Sequence, residues 1–113
     1  VSEFVQAMNA LAREVHENAR AKGFYDNPPS PAERIALIHS EASELLESYR
    51  KGFEDEPSSH AGLMLSEEEE EMADIVIRVM DFAASRGVDL GKAIVAKHLY
   101  NTNRPRMHGN KKF

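Results

Sequence analysis

Between Ser2 and Lys22 the apolar residues Phe4, Met8, Leu11 and Val15 recur at spacings of four, three and four, which predicts one helix with a single buried face. Gly23 offers its stop. The following segment, FYDNPPSP from Phe24 to Pro31, holds three prolines and is read as a loop carrying two aromatics, Phe24 and Tyr25. Ser30 can cap a second helix, Pro31 suits its first position, and Glu33 completes a capping box. That helix is expected to run to about Lys51, with Ile35, Ile38, Ala42, Leu45 and Tyr49 on one stripe and Gly52 as its end. Phe53 to Leu65 shows no periodicity and reads as a mobile connection. Ser66 with Glu69 makes a second capping box, opening a third helix that lasts through Ser85. Its apolar arc, from Met72 through Val76 and Met80 to Ala83, is broad, and Ile77 lies outside it. A helix with two apolar sides asks for two neighbours. Gly87 ends this helix, and Asp89 can cap a fourth, Leu90 to about Asn103, which Pro105 forbids from continuing. No stretch alternates as a strand does. The expected fold is therefore all-α, an antiparallel four-helix bundle-like domain formed by residues 1–113 as one unit.

Size and charge narrow this picture. A chain of 113 residues supports only a modest core, so assembly as a dimer or a dimer of dimers would help it bury apolar surface. The net charge of −5 argues against general nucleic-acid binding, whereas Arg104, Arg106, Lys111 and Lys112 form a basic end that suits a local partner such as phosphate. With no cysteine, disulfides and thiolate metal sites are excluded. No apolar run of membrane-spanning length and no secretory signal pattern occurs, so the expectation is a cytoplasmic protein with no membrane partner. The chain opens on Val1 rather than methionine, so one or more residues are expected before it.

The candidate chemistry lies in carboxylates. At about 100° per residue, Glu41 and Glu44 fall on one edge of the apolar arc of helix two, and Glu71 and Asp74 fall on the corresponding edge of helix three. Glu47 points away and reads as a solvated surface acid. Four converging carboxylates would repel one another and resist desolvation, so convergence implies bound cations. Oxygen ligands alone fit Mg²⁺ or Mn²⁺. Acids three apart are common on helix surfaces, and Glu67, Glu68 and Glu70 offer the same spacing in other registers, so spacing leaves the set open. A di-iron carboxylate bundle is disfavoured, because none of the five histidines follows a glutamate by three residues.

Helix four adds cations. Leu90, Ile94, Lys97, Asn101 and Arg104 share a stripe that turns from apolar to cationic toward its C-terminal end, as a polyphosphate beside a metal site would require. The plainer account is that Lys97 and Arg104 complement the helix dipole. GVDLGK, Gly87 to Lys92, is one residue short of a phosphate-binding P-loop and lacks the hydroxyl residue after its lysine. Phe24 and Tyr25 are read as closing the bundle end, with base stacking as the alternative, and His39 as a packed helix histidine.

The series IALIHSEASELLE, EEMADIVIRVMDFA and GVDLGKAIVAKHLYNTNRPRMHG resembles the MazG-like branch of the all-α nucleoside triphosphate pyrophosphohydrolases, whose hallmark is Glu-x-x-Glu followed by Glu-x-x-Asp. The resemblance covers helices two to four and the tail, and more loosely the GFYDNPPSP loop. It implies that Glu41, Glu44, Glu71 and Asp74 are the catalytic quartet and hold Mg²⁺, with Mn²⁺ as a substitute. It implies that Lys97, Asn101 and Arg104 face the substrate phosphates. The implied reaction cleaves a nucleoside triphosphate between the α and β phosphates, in a homodimer or homotetramer serving nucleotide-pool housekeeping. The long glutamate run before Glu71 departs from the family pattern, and no segment matches a base-selective pocket. Two alternatives stand beside this: a non-catalytic helical dimer that binds a nucleotide or protein, and a hydrolase resembling phosphoribosyl-ATP pyrophosphatase.

Overall fold

In the computed structural model, which describes residues 1–107, the chain forms four helices: α1 (Ser2–Ala21), α2 (Pro31–Lys51), α3 (Glu67–Ser85) and α4 (Leu90–Thr102). Their boundaries follow local chemistry. The Ser30 hydroxyl accepts the Glu33 amide at 3.2 Å, one half of the expected reciprocal pair, and Pro31 occupies the first turn where its missing N–H costs nothing. At Ser66 the box is complete: its hydroxyl accepts the Glu69 amide at 3.1 Å while the Glu69 carboxylate accepts the Ser66 amide at 2.9 Å. Asp89 caps α4 through the Lys92 amide. Gly52, at φ 73°, supplies the left-handed residue that ends α2.

The helices lie in the spatial order α2, α3, α1, α4. α3 packs extensively on both α1 and α2, and α4 packs mainly on α1 with a lighter contact to α3. α3 thus receives the two neighbours its broad apolar arc calls for. The outer helices do not: Ile35 and Tyr49 of the α2 stripe stay exposed, as do Leu99 and Tyr100 of α4. Among the described residues only Ala12, Met80 and Ala83 are buried apolar side chains, and no large side chain is fully enclosed. The radius of gyration, 16.3 Å, exceeds the roughly 13 Å of a compact domain this long. One chain therefore makes an open arrangement of helices rather than a sealed core. No helix among the described residues is long and apolar enough to cross a membrane.

The connection between α2 and α3, read from the sequence as a mobile link, is crossed by backbone bonds. Phe53 donates to the Ser48 carbonyl at 2.8 Å, Ser58 to Leu65 at 2.8 Å, and Glu67 to Glu56 at 2.7 Å. A single bridge, Pro57 to Ser66, is the nearest approach to a strand among the described residues. Arg104 follows the end of α4 rather than continuing it. His108, Gly109, Lys111 and Lys112, which complete the matched stretch and the basic end, lie outside the described residues.

α4 is fastened to α1 at one point. The Asn9 amide nitrogen donates to Asp89 at 2.8 Å, and its oxygen accepts the Gly91 amide at 2.8 Å. Gly91 is buried against α1, and a Cβ there would meet Val5 Cα and the Val5 carbonyl at 2.8 Å, which forces backbone apart. Gly91→Ala is therefore expected to destabilise the chain by about 1–3 kcal/mol. Urea unfolding of the two proteins measures it, and an unchanged midpoint would show that α4 is not held at this contact.

Candidate functional site

The packing of α2 on α3 brings acids from both helices together. Glu41, Glu44 and Glu71 each place a carboxylate oxygen within 4.8 Å of the others. Asp74 lies one turn along α3 from Glu71, close enough to the group for its charge to act on Glu44 and Glu71. Glu41 is largely buried, whereas Glu44 faces solvent. One oxygen of Glu71 is buried without a hydrogen-bond partner. Glu47 lies outside the cluster and pairs with Lys51 at 3.5 Å on the exposed side of α2.

Burial and mutual repulsion disfavour the charged forms. Desolvation first, then the Glu44 charge and a hydrogen bond with Glu44, push Glu71 up to about 7. Glu44 is raised by desolvation and then by Glu41. Asp74 is raised by desolvation and by Glu41 and Glu70, with partial relief from Arg78 and His60. A cluster that resists holding its own negative charge, with an orphaned buried oxygen, is one that a hard cation would complete. The donor set contains oxygen only, which fits Mg²⁺ or Mn²⁺ chemistry.

Arg78 is the cation that sequence reasoning passed over. Its Nε lies 3.3 Å from Glu41 Oε1. Arg78 follows Asp74 by four residues and so shares its helix face, a signal available from spacing alone. The glutamate run is also sorted. Glu70 turns away from Glu41 to accept the Ser58 hydroxyl at 2.9 Å and to pair with the His60 ring, while Glu71 faces α2. Glu67, Glu70 and Glu71 form a second close group that shares Glu71 with the first.

The residues expected to face phosphate gather around Tyr100 and the end of α4. The Lys97 ammonium sits 4.6 Å from the Tyr100 ring centroid, and the Arg104 guanidinium carbon sits 5.6 Å from the same centroid. The Asn101 side-chain oxygen is buried without a partner. Among the described residues no hydrogen bond or ion pair joins Lys97 or Asn101 to the acids of α2 and α3. The reason is placement: α4 packs principally on α1, and α2 is on the far side of α3.

Beside the acids a cleft of about 590 Å³ opens between α1, α2 and α3. Glu41 and Asp74 line one part of it; Leu11, Phe24, Tyr25 and Phe82 supply apolar wall elsewhere. Tyr25 is held there by its hydroxyl, which donates to Asp81 Oδ2 at 2.8 Å, and its ring meets His16 edge-on at 4.7 Å. Burial and then Asp81 raise the Tyr25 hydroxyl, so it stays a donor at neutral pH. Phe24 is 65% exposed at the surface of the cleft.

Because folding raises Glu71 from 4.5 to about 7, the folded chain binds this proton more tightly than the unfolded one. Without divalent cations, stability is expected to fall as pH rises from about 4.5 to 7, and Glu71→Gln is expected to flatten that slope. Thermal unfolding across this range decides it; a slope that rises instead would show the carboxylates are not crowded. A comparison of the chain with models of protein families, with curated proteins and with solved structures found no match.

Proposed function

We propose that the chain is a Mg²⁺-dependent nucleoside triphosphate pyrophosphohydrolase of the MazG-like kind, cleaving NTP or dNTP between the α and β phosphates to a monophosphate and pyrophosphate. The observation that carries this is the convergence of Glu41, Glu44 and Glu71 within 4.8 Å beside a cleft with apolar walls. Acids crowded to this degree suit cations and their polyphosphate ligands, and the adjoining cleft suits the rest of a nucleotide.

Glu41, Glu44, Glu71 and Asp74 would hold Mg²⁺, with Mn²⁺ as a substitute. The ion would supply charge neutralisation of the phosphate oxygens and an acidified water. Of Glu41 and Glu44, the exposed Glu44 is the one we assign to take the proton of the attacking water, since Arg78 engages Glu41. The water oxygen bonds to the α phosphorus, the bond from that phosphorus to the bridging oxygen breaks, and pyrophosphate leaves. Lys97, Asn101 and Arg104 are assigned to the departing phosphates by resemblance. The unpartnered apolar residues of α2 and α4 favour a homodimer or homotetramer as the working form, completing an antiparallel bundle that one chain leaves open. Cytoplasmic nucleotide-pool housekeeping is the setting this activity suits.

A second reading, a helical dimer that binds nucleotide without turnover, draws on the lack of any bond, among the described residues, from Lys97 or Asn101 to the acids. Incubation with canonical and modified triphosphates plus Mg²⁺ separates the two. Monophosphate and pyrophosphate are expected; orthophosphate with diphosphate would sink the proposal, and binding without products would favour the second reading.

Glu71→Gln and Asp74→Asn are each expected to lower turnover by about 100-fold or more with helicity retained. Glu44→Gln should behave likewise, whereas Glu47→Gln should keep full activity. Circular dichroism and turnover on the same preparations check this. Equal losses at Glu44 and Glu47 would show that the site does not lie on the α2 face assigned to it.

A further inference from the structure

Arg34 is a cation in the cleft that no carboxylate among the described residues holds. It lies on α2, seven residues before Glu41, and Asp81 lies on α3 seven residues after Asp74. Two helical turns, about 10 Å, therefore separate Arg34 and Asp81 from the acids at the other part of the same cleft. That separation is the span of a sugar and its base.

The natural partner for Arg34 is already engaged. Asp81 commits Oδ1 to the His16 ring at 2.8 Å and Oδ2 to the Tyr25 hydroxyl at 2.8 Å. The Arg34 guanidinium instead rests with its carbon 4.8 Å from the Tyr25 ring centroid and 5.8 Å from that of Phe82. Its Nη1 donates to the Ser85 hydroxyl. Its Nε is buried and has no acceptor. Nε and Nη2 point along one edge of the guanidinium, so the unsatisfied Nε belongs to a two-donor fork that a ligand can meet with two acceptors. A buried donor without an acceptor is costly, and here no ion pair resists a small turn of the guanidinium toward whatever fills the cleft.

We propose that Arg34 is the base-selecting residue of this chain, its Nε and Nη2 pairing with an adjacent carbonyl oxygen and ring nitrogen on the bound base. Guanine presents such a pair at O6 and N7, and cytosine at O2 and N3. Adenine and uracil do not: adenine carries no carbonyl oxygen, and the ring nitrogen between the two carbonyls of uracil is a donor. Arginine reads guanine through the same two atoms elsewhere in nature, because the fork spacing matches them. Tyr25, fixed by Asp81 and His16, gives the ring a rigid aromatic wall, and the exposed Phe24 is free to close on it. The apolar lining makes this part of the cleft a poor place for phosphate, which leaves the triphosphate to the acidic part.

This inference rests on the nucleotide reading of the cleft but is tested apart from hydrolysis. Guanosine, cytidine, adenosine and uridine, none carrying phosphate, are titrated into the full chain without divalent cation, and binding is followed by saturation-transfer NMR. Guanosine and cytidine are expected to bind about tenfold or more tightly than the other two. Arg34→Lys keeps the charge and loses the fork, and should erase the preference while leaving helicity intact. If that variant does not fold, Ser85→Ala, which releases Nη1, should weaken the preference in its place. Equal binding of the four nucleosides, no binding of any, or a preference that survives Arg34→Lys overturns the proposal. Steady-state turnover of the four triphosphates supplies the second readout. Arg34→Lys should lower kcat/KM for guanine and cytosine substrates alone, and an equal loss on all four would place Arg34 on phosphate instead. A chain that hydrolyses all four alike keeps the pyrophosphohydrolase reading and loses this one; base-selective binding without hydrolysis does the reverse.

Discussion

Packing of α2 on α3 holds Glu41, Glu44 and Glu71 within 4.8 Å of one another against their own repulsion. That opposition organises the rest of the site. Apolar contact between the helices sets the spacing, and the carboxylates answer by taking up a proton at Glu71 or by engaging Arg78. That packing disfavours the charged forms of Glu44, Glu71 and Asp74, a condition that would favour the binding of a divalent cation.

The same helix pair sets up a second polar arrangement two turns away. There Asp81 is satisfied by His16 and Tyr25, and among the described residues Arg34 Nε finds no acceptor. One part of the cleft thus crowds negative charge and another has an unmatched donor. A ligand that offers polyphosphate with cations to the first and a flat polar ring to the second relieves both. The complementarity comes from opposite deficits at fixed separation along rigid helices, which position groups more accurately than loops do.

The open packing bears on stability as well as on assembly. With Ala12, Met80 and Ala83 as the only buried apolar residues described, the separate chain removes little large apolar surface from water. α3 and α1 each have neighbours on two sides, while α2 and α4 each keep exposed apolar residues.

The helices and their ends were legible in the sequence because the forces that set them are local. Ser30, Ser66 and Asp89 bond to amides three residues away, Gly52 takes up a left-handed turn, and a period of 3.6 residues puts Glu41 with Glu44 and Glu71 with Asp74 on common faces. Which glutamate of the run faces α2 was not legible from spacing, since Glu67, Glu68 and Glu70 satisfied it equally well. The rotation of α3 decided that, turning Glu70 to Ser58 and His60 and Glu71 to Glu44. Tertiary structure also decided that Arg78 reaches Glu41, that Asp81 is occupied by Tyr25 and His16, and that Arg34 is left without a carboxylate. It placed α4 on α1, where, among the described residues, no bond runs from Lys97 or Asn101 to the acids. Side chains far apart in sequence meet only through the angle and rotation at which helices pack, and no spacing along one strand of chain encodes those.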